Sequence, residues 1–167
     1  IFGEGNSDCV NFSPDGEGCD EAWSLAEYGR LYNCYAVDDS RSLCPIGWHV
    51  PNNIDWGNLE IYLGLTPAEV LLTGWRGSDQ GFQMKATFGW NDSGNGSNGS
   101  QFGALPAGGW SGTEFYGTGL YGAWWSASSN GNTAWLRSLD YDKDGINASD
   151  NVGLHHGFSI RCIKDAE

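Results

Sequence analysis

The sequence predicts an α+β fold: one domain with two short helices in its first half and a Gly-rich antiparallel β region with long irregular loops in its second. Three observations predict it. Periodic apolar stretches with capping residues end by Gly74. Beyond that point, short runs of aromatic and β-branched residues are separated by Gly, Asn, Ser and Asp clusters. The chain of 167 residues also carries 26 Gly against nine Trp, seven Tyr and seven Phe, a composition for one core of large rings joined by many turns. No period of about 20–50 residues recurs, which excludes solenoids and propellers.

Residues 1–27 are acidic and Gly-rich and read as an irregular arm, which a Cys9–Cys19 bond can close; 28–167 read as the domain proper. "YGRLYNCYAV", Tyr28 to Val37, is rich in aromatic and β-favouring residues and reads as a strand. In "VPNNIDWGNLEIYLG", Asn52 can cap a helix, Asp55 falls three positions on, and Trp56, Leu59 and Leu63 recur on one face. "LTPAEVLLTG" predicts a second, shorter helix. Thr66 caps it, Pro67 takes its first turn, Glu69 completes a capping box, and Gly74 follows its end. The strand candidates are "FGALPAGGW", "YGAWWSASS", "TAWLRSLDYD" and "HGFSIRCIK". The run "WNDSGNGSNGSQFG" resembles a flexible linker in composition, but elements of the same domain flank it on both sides. It is therefore read as an ordered internal loop.

Eight Lys and Arg against 21 Asp and Glu leave a formal charge of −13, which repels phosphate backbones and disfavours nucleic acid. The same surface attracts hard cations such as Ca²⁺. No apolar run is long enough to span a membrane. No charged and apolar leader opens the chain, so the expectation is export through a signal peptide since removed. Cys9, Cys19, Cys34, Cys44 and Cys162 contain no CxxC spacing and the three His are not placed to complete a zinc site. Disulfides in an oxidising compartment fit better. The odd count leaves one thiol free or paired with another chain.

No catalytic constellation stands out, and the chain is expected not to be an enzyme. His155 and His156 are adjacent in an expected strand, so their rings should point to opposite faces. His49, within "GWHVP", reads as a hydrogen-bonded core residue, and no GxSxG elbow occurs. Two stretches can supply calcium ligands. "DYDKDG" places Asp140, Asp142 and Asp144 as in the opening of an EF-hand loop, although Asn151 stands where the bidentate Glu would be. The alternative is a hairpin tip turning at Lys143, Asp144 and Gly145, and both readings can hold together. In the Gly-rich loop, Asn91, Asp92, Asn95 and Asn98 offer side-chain oxygens; an ordinary solvated loop is the alternative. Asn11, Asn91, Asn95, Asn98 and Asn147 each open an N-x-S sequon, a pattern that loops of small residues also generate by chance.

Trp124 and Trp125 are neighbours in an expected strand, so one should face the core and one the other side. An outward Trp124 beside Trp110, Tyr116 or Tyr121 can stack on a sugar ring or another protein; core packing is the alternative.

"YGRLYNCYAV", "LCPIGWHVP", "LGL", "FGWNDSGNGSN", "FGALPAGG", "YGAWWSAS", "AWLRSL" and "GFSIRCIK" follow one another in an order that closely resembles the Fibrobacter succinogenes major paralogous domain, from about Tyr28 to Lys164. The resemblance implies a secreted bacterial surface domain with a C-type-lectin-like fold, in the group that includes formylglycine-generating enzymes, serving binding or display rather than catalysis. It also implies a Cys44–Cys162 disulfide. The catalytic cysteine pair of formylglycine-generating enzymes has no counterpart here. Cys34 stands where the family commonly has Trp, and it is assigned to the arm with Cys9 and Cys19, the pairing among the three left open.

The resulting expectation is a secreted structural or adhesive surface protein whose partners are copies of itself, assembling into a filament or layer with the arm docked on the next copy. A calcium-assisted carbohydrate-binding module, with glycans as partners, is the alternative. An extracellular hydrolase ranks last.

Overall fold

The computed structural model describes residues 21–166; Cys9, Cys19 and the expected docking of the arm lie outside the described residues. The helices are α1 (Glu21–Tyr28), α2 (Cys34–Val37), α3 (Asn53–Tyr62) and α4 (Gln80–Met84), with a 3-10 turn at Glu69–Leu71. The strands are β1 (Trp48–His49), β2 (Gly74–Arg76), β3 (Ala107–Trp110), β4 (Phe115–Thr118), β5 (Tyr121–Ser129), β6 (Thr133–Asp140), β7 (Ile146–Gly153) and β8 (Ile163–Lys164). The architecture is mixed α/β, with few short helices around a dominant sheet.

Six strands form that sheet in the order β2-β7-β6-β5-β3-β4. Neighbours are antiparallel, except that β3 meets β5 in parallel at Gly108 and Gly122. β5, β6 and β7 form a meander because each connection is a short polar turn, and the β6–β7 turn is the expected hairpin at Asp140–Gly145. A second, two-stranded sheet pairs β1 with β8, in the register Trp48 with Lys164 and His49 with Ile163.

β5 is central and apolar on both faces. Trp124 packs with Trp56, Leu63, Met84, Trp90, Leu139 and Ile146 on one side. Trp125 packs with Cys34, Ala134, Leu136 and Phe158 on the other. The period-two alternation of the strand thus holds, yet both rings are buried, because the sheet is covered on two faces. Trp124, at 4% exposure, is a core residue, so the expectation that it stacks on a ligand is corrected. On its face, buried Glu60 of α3 accepts hydrogen bonds from Arg76 of β2 and Arg137 of β6, tying the helix to two strands.

The helix over Asn53–Tyr62 carries the expected box: Asn52 Oδ1 accepts from Ile54 and Asp55 N, and Asp55 returns a bond to Asn52 N. Thr66 and Glu69 also bond reciprocally, but only a 3-10 turn follows. Several expectations need correction. Tyr28–Val37 is not a strand: Tyr28 ends α1, Tyr32 makes an isolated bridge to Phe158, and Cys34–Val37 is helical. Asn33 Oδ1 caps that turn through Ala36 N at 3.1 Å; Leu31 is buried beside Ala107 and Phe115, and Cys34 beside Trp125 and Phe158. Helix α1 occupies the end of the stretch read as an irregular arm, and α4 forms after the last expected helix.

Candidate functional site

On the Trp125 side, the sheet carries a cleft of about 360 Å³. Its floor is β7: Asn147 and Ser149 alternate with buried Ile146 and Ala148, and Asn151 and Val152 also line it beyond a register shift against β6. One wall is aromatic. Tyr116 of β4 and Tyr121 of β5 stack with centroids 6.1 Å apart and planes at 28°. Phe158 and His156 complete the wall, Phe158 edge-on to Tyr121 at 6.5 Å and tilted to His156 at 6.1 Å.

The fold holds this wall through main-chain bonds. Phe158 exchanges two hydrogen bonds with Tyr32, and Gly157 exchanges two with Trp110. Gly109 sits opposite Tyr116 in the β3–β4 ladder, and a Cβ there would lie 2.6 Å from the Phe158 ring and 2.8 Å from the Tyr116 hydroxyl. Only glycine lets the two rings close over β3.

Burial raises the pKa of Tyr116 and raises that of Tyr121 further, so both hydroxyls stay neutral donors and acceptors. Burial, and then His155 beside it, lowers that of His156. His155 and His156 lie in the turn after β7 with ring centroids 4.4 Å apart, which corrects the expectation of opposite faces. Among the described residues no Asp, Glu, Lys or Arg lines the cleft. Its chemistry is that of aromatic faces, side-chain amides, a hydroxyl and an imidazole.

Of the aromatic residues expected to bind, the fold brings Tyr116 and Tyr121 together in this cleft. Trp110 is half-buried against Phe115, at 4.7 Å, in a separate cluster with Leu31 and Ala107. Ser149, Asn151, His156 and Phe158 were not among the residues expected to bind a ligand, and Asn147 drew notice only as a sequon. In "INASDNVG" only Ile146 and Val152 are β-branched and none is aromatic, so the run does not announce a strand.

The two acidic stretches abut each other. In the Gly-rich loop, Asn95 Oδ1 accepts from Trp90 N at 3.0 Å and Asn98 Oδ1 from Gly103 N at 2.8 Å. Asn91 is held through its own N–H to Gly119 O at 2.8 Å, and Asp92 is exposed with φ 48°. In the hairpin turn, burial and then Asp142 raise the pKa of Asp140. Asp142 pairs with Lys143 at 3.0 Å, and Asp144 faces solvent. Among the described residues no three His, Cys, Asp or Glu side chains gather as a metal-binding group.

Cys44 and Cys162 form the disulfide, closing 118 residues. Cys34 is a free, buried thiol whose pKa is pushed up to about 11 by burial and then by Asp38, which corrects its assignment to the arm. His49 is hydrogen-bonded as expected, to Asp165 and Asp55, but its side chain is 42% exposed rather than in the core. Among the described residues no helix is long and apolar enough to cross a membrane, and the intramolecular disulfide is compatible with an extracellular protein.

Over residues 16–164 the chain matches the family model described as the Fibrobacter succinogenes major domain. No curated protein and no solved structure matches it.

Proposed function

The chain belongs to the Fibrobacter succinogenes major domain family, and we propose that it is a secreted, non-catalytic adhesive module of C-type-lectin-like fold whose Tyr116–His156 cleft takes a neutral saccharide. One observation carries this reading: the stacked Tyr116–Tyr121 pair lines one cleft with the amides and hydroxyl of Asn147, Ser149 and Asn151, and no charged side chain of the described residues joins them. A sugar ring presents apolar C–H faces to aromatic rings and equatorial hydroxyls to amides, so such a cleft matches it on both counts. Among the described residues no carboxylate joins the lining, which supports binding over glycoside hydrolysis, a reaction that needs an acid and a second carboxylate or base beside the scissile bond.

The test is a glycan array probed with the wild type, Tyr116→Ala and Asn151→Ala, with and without chelator. We expect selective binding to neutral glycans that is weakened about tenfold or more by Tyr116→Ala, the loss of one ring contact of about 1.4 kcal/mol. No binding under any condition, or binding indifferent to both substitutions, would remove the reading.

A groove of about 410 Å³ between α3 and the 3-10 turn, lined by Ile54, Ile61, Leu71 and Trp135, favours a second reading, association between copies. Ile54 and Leu71 are 73% and 80% exposed there. Arrayed copies would turn weak glycan contacts into firm attachment.

A further inference from the structure

The Lys85 side chain is 1% exposed and its ammonium lies inside the Asp140–Gly145 turn. Nζ donates to the carbonyls of Asp140 at 3.2 Å, Tyr141 at 3.4 Å and Lys143 at 3.0 Å. Asp144 Oδ1 is 4.0 Å away, and the Trp90 ring closes the approach with its centroid 5.5 Å from Nζ. Three N–H donors thus meet three carbonyls that converge on one point, beside carboxylates. Convergent backbone carbonyls with nearby aspartates are also what a Ca²⁺ loop presents to its ion.

We propose that the DYDKDG turn is a cation cage whose resident cation is the chain's own Lys85 ammonium, which locks the two acidic loops together in place of a metal ion. Burial lowers the pKa of this lysine, and Asp144, Asp142 and Asp140 oppose that shift, favouring the charged form in the cage.

The main chain around Lys85 holds the second acidic loop. Asn98 N donates to Lys85 O at 3.0 Å, Gly96 N to Ala86 O at 2.9 Å, and Ser97 N to Phe82 O at 2.9 Å. A Cβ at Gly96 would collide with the Phe82 carbonyl and the Lys85 side chain, so glycine permits this approach. Helix α4 joins the same knot through Phe82 N to Asp144 O at 3.0 Å. One residue therefore clamps the Gly-rich loop with its backbone and the acidic turn with its side chain. Each loop gains a partner that it would otherwise need from solvent or from an ion.

The test uses the full chain. In the folded wild type, amine acetylation read by peptide mass spectrometry should modify Lys85 at least about tenfold more slowly than exposed Lys143, because labelling requires local opening. The melting temperature of the wild type should be indifferent to calcium and to chelator. Lys85→Ala should melt lower and recover several degrees with n-propylammonium, which replaces the deleted atoms, or with Ca²⁺. Lys85→Met, which keeps the stem without the charge, should melt lower and recover with neither. A wild type stabilised by calcium, Lys85 labelled as fast as Lys143, or a folded Lys85→Ala that no cation restores would each overturn the proposal. If Lys85→Ala does not fold, the two wild-type measurements decide.

Discussion

His49 stands between two carboxylates, its Nδ1 2.6 Å from Asp165 and its Nε2 3.3 Å from Asp55. The hydrogen bond to Asp165 is the largest influence and raises its pKa, burial opposes it next, and Asp55 adds to the rise. A folded-state value above the unfolded one means that the contribution is complete below the ordinary imidazole value, about 6.5, and is lost as pH rises through the raised value. Wild-type melting temperature should therefore decline as pH rises from about 6 to 8, and His49→Gln should flatten that decline in calorimetry. The effect is small because the ring is half exposed and water screens the pair. His156, lowered by burial, acts in the opposite sense: its contribution is complete above the ordinary imidazole value and is lost as pH falls through the lowered one, so the difference between wild type and His49→Gln isolates the His49 effect. The pairing with Asp165 is not legible from "GWHVP", since that residue lies 116 positions away. Lys85 is equally silent in the sequence: its three carbonyl partners are 55 to 58 positions distant.

Helix α3 is the element whose local signal carried through. Its N-terminus satisfies three main-chain donors with two side chains, Asn52 and Asp55, inside one four-residue window. Asn52→Ala should lower stability by about 0.5–2 kcal/mol, and Asn52→Gly by only a few tenths. A urea titration with unchanged slope checks this, because the midpoint then moves with stability alone. The same box at Thr66–Glu69 starts only three residues of 3-10 helix, since Leu71 and Leu72 are largely exposed and offer no buried face to extend. At Tyr28–Val37, strand propensity was overruled by a capping Asn33 and by the burial of Leu31 and Cys34 in two separate core clusters. β7 stayed hidden for the reverse reason: its cleft face is polar, so burial on the other face alone makes it a strand.

At the scale of the molecule, Cys44–Cys162 joins the start of the β1 segment to the approach of β8, beside the two-stranded sheet that pairs them. Asp165 N adds a bond to Gly47 O at 2.9 Å. Closing so long a loop restricts the unfolded chain, and in the chain-entropy model the gain reaches about 4–5 kcal/mol. Reduction, or the double change Cys44→Ser and Cys162→Ser, should lower the urea midpoint by an amount equivalent to about 2–5 kcal/mol. A midpoint that does not move would mean that the small sheet holds these ends unaided.

The sequence by itself determined a sheet-rich mixed fold with few short helices, the α3 cap, the β6–β7 hairpin turn and, through family likeness, the disulfide pair. Each of the first three rests on contacts within a few residues or on a periodicity that one strand or helix displays alone. Only the tertiary structure decided that Trp124 and Trp125 are both buried, that Tyr116 and Tyr121 face the amides of β7, and that Lys85 fills the acidic turn. Those outcomes depend on which face of a sheet is covered and which distant segments cross. A run of residue types fixes the period of an element, but not what packs against it.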